Sequence, residues 1–354
     1  MANVVWILGA GFSVPLGGPT LASLFSAHAH AHLDALYQSG DGPLGPARQT
    51  ILGTAAITAR RLYLVGSRDD HGYASFDDKR NNRRDQYAGM WSDAEEFLDT
   101  LETAALAPDG PLARRLQRVV GGLSTPALPI TDLRAAARRM LAIECSMFLL
   151  EAAPASERWE PYRTWRDKIG RVGNSHTIIT FNYDLVLETL GLQALVALPS
   201  TAPGTSSVLK LHGSVNWRRD QAGKLSLSPD PHFVATCPDS ELAIAPPGPS
   251  KAEVAKEFES LWQHAELALS NADSVFFVGY RFPPTDATAR RRILGAIRPS
   301  GSALNIVLGP HDSHGDIARL CGLLKFQAPN QDAIVHRMWA QDFLGVCPTG
   351  LFTP

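Results

Sequence analysis

The 354 residues carry 33 Lys and Arg against 35 Asp and Glu, a formal net charge of -2, which excludes a global electrostatic attraction to nucleic acid or anionic lipid. With 45% hydrophobic and 19% charged residues, the chain has the apolar content of a soluble globular protein of one large or two modest domains. No apolar run reaches the roughly 18 residues of a membrane helix, and the scattered Cys145, Cys237, Cys321 and Cys347 form neither a zinc-ligand spacing nor a disulfide framework.

In chain order, the first element is the unbroken apolar run Val4 to Leu8 (VVWIL), which ends in glycine and predicts a central parallel strand buried on both faces. Its flank lacks a basic region, and Gly9 and Gly11 interrupt it too early for a secretory signal. Together with the unpaired cysteines this predicts a cytoplasmic protein. The turn GAGFSVPLGGPT should lead into a helix beginning near Thr20, and HAHAH at His28 to His32 follows on that helix. His28 and His32 lie four residues apart, a spacing open to metal binding, but no carboxylate or cysteine cluster accompanies them and a polar helix face accounts for them better.

More than 160 residues then pass with little strand signal, which predicts a mainly helical insertion over 21–169. Asp93 to Leu106 and Thr131 to Ala152 place apolar residues at helical spacing, with Thr131 or Asp132 as candidate caps for the second. Gly66 to Asp93 is rich in Arg, Asp and Asn and reads as a solvated loop or lid edge, and Gly121 to Pro129 as a linker. Short apolar runs return at His176 to Phe181, Ser207 to Leu211, Ser274 to Val278 and Leu304 to Leu308, each followed by polar or glycine residues and then a helical stretch. That alternation predicts an α/β fold with a Rossmann-like doubly wound parallel sheet, formed by 1–20 and 170–330, with 331–354 packing on this core. The Arg-rich Ala289 to Ile293 (ARRRI) reads as a solvated helix face or a contact for acidic partners.

The residues able to carry chemistry follow the predicted strands. Gly9, Gly11 and Ser13, directly after a buried strand, suit either close approach of a phosphate or a tight structural turn; the third glycine of GxGxxG is replaced by Val14. Asn182 reads alone as a turn residue, His212 as part of a loop, and Asp184 as a helix N-cap.

In combination these segments are more specific. GAGFSVPLGGPT at Gly9 to Thr20, TFNYD at Thr180 to Asp184, KLHGSVNW at Lys210 to Trp217 and VGYRFPPTD at Val278 to Asp286 occur in the order and spacing of the sirtuin-like (SIR2) family, and DAEEFLDTLE near Asp93 resembles a helix of its bacterial branch. The resemblance implies an NAD site in which Gly9, Ala10, Gly11, Ser13, Pro19 and Thr20 hold the dinucleotide and Gly279 and Tyr280 contact its adenosine side. It makes Asn182 and Asp184 the polar pair of the family's TQNxD motif and His212 its catalytic histidine. Phe181 stands where deacylases have glutamine, and Arg281 and the following PPTD also depart from their pattern. These departures, and the missing zinc ribbon, count against peptide deacylation more than against NAD binding.

The resemblance therefore implies a zinc-independent NAD hydrolase of the kind found in antiphage defence, with an NAD-dependent ADP-ribosyltransferase or deacylase, or a noncatalytic NAD- or ADP-ribose-binding module, as alternatives. It also implies a homo-oligomer switched on by another protein, a HerA-like ATPase ahead of an Argonaute-type protein, with no membrane or direct nucleic-acid contact. The chemistry is consistent with the residue types. Nicotinamide in NAD is a cationic leaving group, so the site needs a positioned water and stabilisation of an oxocarbenium-like ribose. An asparagine amide offers a donor and an acceptor, and a histidine can take a proton near neutral pH.

Overall fold

The computed structural model describes residues 2–20, 23–25, 53–67, 89–123, 128–171, 175–201, 207–230, 233–246, 256–283, 286–297, 301–311, 314–327 and 332–347. Among them are nine strands: β1 (Asn3–Leu8), β2 (Ser175–Thr180), β3 (Ser207–Lys210), β4 (Gly213–Arg219), β5 (Leu225–Leu227), β6 (Leu242–Ile244), β7 (Ser274–Val278), β8 (Ala303–Leu308) and β9 (Ile334–Arg337). The chain divides into two compact units, one of Met1–Gly18, Phe148–Ser214 and Ala255–Pro354, the other of Pro19–Met147 and Val215–Val254.

The first unit is built on a six-stranded sheet of order β3-β2-β1-β7-β8-β9 in which every neighbouring pair is parallel. Strands β2 and β3 lie on one side of β1 and β7, β8 and β9 on the other, so the winding reverses at β1, as in a Rossmann-like doubly wound fold. All five sequence-predicted strands occur within a residue or so of their expected bounds, because each is a run of β-branched and large apolar residues covered on both faces. β9 was not predicted: as an edge strand it is only half buried and breaks the apolar-run rule.

The core centres on Trp6, whose ring stacks on Phe276 at 4.5 Å and meets the edge of Trp165 at 5.3 Å. Its indole N–H donates to His176 Nδ1 at 3.2 Å, the partner a buried tryptophan requires. Burial pushes His176 down to about 4, which keeps the ring neutral and able to accept. The helix Glu160–Arg171 contributes Tyr162, Trp165 and Ile169, at three- and four-residue spacing, to the same core. The helix Ala340–Val346 adds Phe343 and Leu344.

The second unit holds the helices Thr54–Gly66, Ala94–Leu106 and Pro111–Val120, most of Ile130–Glu151, and a three-stranded sheet of order β5-β4-β6. Phe25, Tyr63, Trp91 and Phe97 form its aromatic cluster, with ring centroids 4.9 to 5.4 Å apart. Asp93 caps its helix by accepting from the Glu95 and Glu96 N–H groups at 2.9 and 3.0 Å. The proposed caps Thr131 and Asp132 are corrected: the helix already begins at Ile130, after Pro129, and both residues lie inside it.

Two boundaries also differ from the sequence reading. Phe148 to Ile169, expected in the helical insertion, belongs to the sheet unit, because its aromatic face packs on β1. Val215 to Val254, expected in the core, belongs to the second unit; there Arg139 donates to the Val234 carbonyl at 2.6 Å and pairs with Asp239 at 3.1 Å. The helix expected near Thr20, the pair His28 and His32, and most of Gly66 to Asp93 lie outside the described residues. None of the described helices is long and apolar enough to cross a membrane.

Candidate functional site

The four motif segments of the sheet unit begin where four neighbouring strands end. Gly9 N–H extends the ladder to the Val278 carbonyl at 3.1 Å, Phe181 N–H to Leu8 O at 3.2 Å, and Leu211 N–H to Thr180 O at 3.0 Å. Gly9, Asn182, His212 and Gly279 therefore emerge together at the carboxyl ends of β1, β2, β3 and β7, beside the point where the winding reverses, the usual ligand position in open α/β sheets.

The glycines have a reason internal to the chain. Gly11 N–H bonds to Gly279 O at 3.2 Å, and a Cβ on Gly9 would stand 2.6 Å from that same oxygen. A Cβ on Gly279, whose φ is +64°, would lie 2.5 Å from the Gly11 backbone. The two turns thus touch backbone to backbone, and the tight-turn reading of Gly9 and Gly11 holds whatever ligand they meet. After Gly9 the chain makes two short 3₁₀ turns, Ala10–Phe12 and Val14–Leu16, with Ala10 exposed, Gly11 half-buried and Ser13 buried.

A polar network underpins the turn. Asn182 Nδ2 donates to Gly9 O at 3.0 Å and to Ser13 Oγ at 3.1 Å, so both amide hydrogens brace the glycine loop. With its amide nitrogen engaged within the chain, the amide oxygen is the atom Asn182 can offer to a ligand. Ser13 Oγ in turn donates to Asp184 Oδ2 at 2.6 Å, while Asp184 Oδ1 accepts from Val186 N–H at 3.1 Å. Asp184 is thus both a local cap and the anchor of Ser13.

Burial pushes the Asp184 carboxyl above its usual range, opposed by Lys210, the Ser13 hydroxyl and the Val186 N–H. Lys210 Nζ donates to Asp184 O and pairs with Glu188 at 2.9 Å, its side chain 1% exposed. Tyr162 donates its phenol to Phe12 O at 2.6 Å, and its pKa is raised by burial and then by the Asp184 charge, so the phenol keeps its proton.

His212 stands at the other side of the cluster. Its ring meets the edge of Phe181 at 4.9 Å, and Phe181 stacks on Tyr280 at 4.4 Å with the planes 12° apart. The Tyr280 ring, expected at the adenosine side, is therefore buried in an aromatic layer behind the loop. His212 Nε2 lies 3.2 Å from Asp286 Oδ2, with side chains 8% and 4% exposed. Of the remaining predicted residues, Thr20 and Pro19 belong to the second unit, where Thr20 pairs with Ser23 in a local hydroxyl turn.

Sequence reasoning missed Lys210, Glu188, Tyr162 and Asp286. Lys210 and Asp286 sit inside the quoted motifs, and a lysine closing an apolar strand was the available signal for the first. Tyr162 is 150 residues from its partner and carried none. Arg292 of the Arg-rich segment pairs with Glu259 at 2.7 Å and lies 4.9 Å over the Trp262 ring, which makes it a helix-to-helix clamp. A cavity of about 460 Å³ opens at the opposite, amino-terminal end of β2 and β3, between His176, Ser207, Leu195 and Arg166, away from the motif cluster. No group of three or more His, Cys, Asp or Glu side chains able to hold a metal ion occurs among the described residues.

Fold and site together define a Rossmann-like α/β protein with a hydrogen-bonded Gly-Ser-Asn-Asp cluster and a buried histidine at the carboxyl edge of its sheet. No family model matches the chain, and no curated protein matches it. Among solved structures it is similar to a Sir2 in complex with the inhibitor EX-527, 2'-O-acetyl-ADP-ribose and deacetylated p53 peptide, with 13% identity over 99% of this chain and 94% of that chain and a TM-score of 0.32. The fold assignment rests on the strand order and parallel register.

Proposed function

We propose that the chain hydrolyses NAD at the bond between nicotinamide and ribose. The observation that carries this reading is the convergence of Gly9 to Ser13, Asn182, His212 and Gly279 at neighbouring strand ends, with Asn182 tied directly to Gly9 and Ser13. These residues make up the sirtuin-like motifs, and the cluster gives them one place in which to act.

In the proposed reaction the C1'–N bond breaks and nicotinamide leaves with the bonding electron pair as a neutral molecule, so no general acid is needed. A water oxygen bonds to C1', its proton passes to His212, and ADP-ribose is the second product. Asn182 offers its amide oxygen to a ribose hydroxyl or to that water, and its position is fixed by the two bonds of its amide nitrogen. Ser13 and Asp184 hold the loop, and because Gly9, Gly11, Phe12 and Ser13 already donate their N–H groups within the chain, the glycines would serve close approach of the dinucleotide rather than N–H donation to its phosphates.

The resemblance further supports a zinc-independent antiphage effector that works as a homo-oligomer under a protein activator, with a HerA-like ATPase favoured. Purified protein incubated with NAD should release nicotinamide and ADP-ribose in equal amounts without any acylated peptide or protein acceptor. Product formation that requires such an acceptor would make the chain a transferase or deacylase, and NAD binding without turnover would make it a binding module. Light scattering alone and with the candidate ATPase tests the assembly.

A further inference from the structure

Tyr162 reaches the glycine loop from outside the four motif segments. It lies fully buried on the helix Glu160–Arg171, its ring meeting the Phe12 ring edge-on at 5.2 Å and its phenol donating to Phe12 O at 2.6 Å.

The local sequence explains why that carbonyl takes a side-chain donor. Through the two 3₁₀ turns, carbonyl oxygens are met by the N–H three residues on: Gly9 O by Phe12, Ala10 O by Ser13, Ser13 O by Leu16 and Val14 O by Gly17. For Phe12 O that position is Pro15, which has no N–H, and among the described residues no other main-chain group donates to it. A carbonyl on a residue only 1% exposed is costly to leave unpaired, and the phenol supplies the missing donor.

The core alone does not call for a hydroxyl at this position. Phenylalanine would fill the same space against Phe12, so the hydroxyl answers to the loop. The loop's other anchors lie on either side: Gly9 and Gly11 are tied to Val278 O and Gly279 O, and Ser13 Oγ to Asn182 and Asp184. Phe12 stands between them, and among the described residues Tyr162 is its one polar tie outside the loop.

We propose that Tyr162 is a positioning residue for dinucleotide binding: its bond to the Phe12 carbonyl holds Gly9 to Ser13 in the shape that admits NAD. This rests on the reading of that loop as the NAD site.

The test is Tyr162→Phe, which keeps the ring and removes only the donor, assayed well below the melting temperatures of both proteins. KM for NAD should rise about tenfold, the scale of one lost hydrogen bond, with kcat within about threefold because His212 is untouched. A merely structural role would instead lower the fraction of active protein, and with it kcat, at unchanged KM. Calorimetric titration with ADP-ribose should show a similar loss of affinity without any turnover. Hydrogen exchange read by mass spectrometry should be faster for the Gly9 to Ser13 amides in the variant, with β1 and β2 as protected as in wild type.

Unchanged KM and ADP-ribose affinity, or unchanged exchange in the loop, would overturn the proposal. A wild type that binds ADP-ribose without hydrolysing NAD, its affinity weakened in Tyr162→Phe, would sink the hydrolase reading while supporting the role of Tyr162. A wild type that binds neither NAD nor ADP-ribose would overturn both.

Discussion

Replacing Gly279 by alanine attacks the contact that holds the two glycine turns together. Two costs arise. An L-residue at φ +64° loses about 1–2 kcal/mol relative to glycine. The new Cβ would also stand 2.5 Å from both Gly11 C and Cα and 2.6 Å from Phe12 N. These are backbone atoms, so no side chain can swing aside, and forced overpacking costs about 1–3 kcal/mol. The expected loss is about 2–5 kcal/mol.

Gly223→Ala separates the two costs. Its φ is +80°, but nothing stands within 4 Å of its Cβ position, so it should lose only the conformational part. Urea unfolding of both variants beside wild type reads the difference as a shift in midpoint at constant slope. Equal destabilisation by the two substitutions would refute the backbone contact between the Gly11 and Gly279 turns.

Three further outcomes are expected. Lys210→Met leaves Glu188 buried without its ammonium partner and releases the Asp184 carbonyl, and should cost about 3–5 kcal/mol in the same urea assay; a loss under about 1 kcal/mol would place this pair in water. Burial pushes Glu144 up to about 8, against the opposing pull of Arg60, so the folded state binds a proton there that the unfolded state has released above its ordinary value near 4.5. Stability from this group is present below that value and is lost as pH rises through about 8, so the stability of Glu144→Gln relative to wild type should grow between pH 5 and pH 8; a difference independent of pH would contradict it. Prolonged chelation should leave the melting temperature unchanged, because the sequence offers no closed Cys/His ligand set; unfolding on chelation, with stoichiometric zinc in the purified protein, would overturn this.

The sheet was legible because its strands obey a simple rule: Val4 to Leu8 and Ser274 to Val278 are unbroken apolar runs, as strands covered on both faces must be. β9 and the small β5-β4-β6 sheet were not, since Ile334–Arg337 lies half exposed at an edge and Leu225–Leu227 and Leu242–Ile244 are too short to show a period. The place of the Glu160–Arg171 helix could not be read from its amphipathic pattern, which says that Tyr162 and Trp165 are buried but not against which element.

Within the site, Gly9, Ser13, Asn182 and His212 were found through motif order, whereas what each touches was not. The amide hydrogens of Asn182 brace Gly9 and Ser13, and the carboxyl group facing His212 comes from Asp286, 74 residues further along the chain. Pairings across such separations are set by the sheet order, which no local pattern encodes.

The central claim is that His212 and Asn182 form one NAD-cleaving site. Its most direct test is the rate of nicotinamide release from NAD by wild type and by folded His212→Ala, the fold checked by circular dichroism and melting temperature. Wild type should release nicotinamide, and His212→Ala should bind NAD yet turn over about 10²- to 10⁴-fold more slowly. Near-normal release by a folded His212→Ala protein would contradict the account.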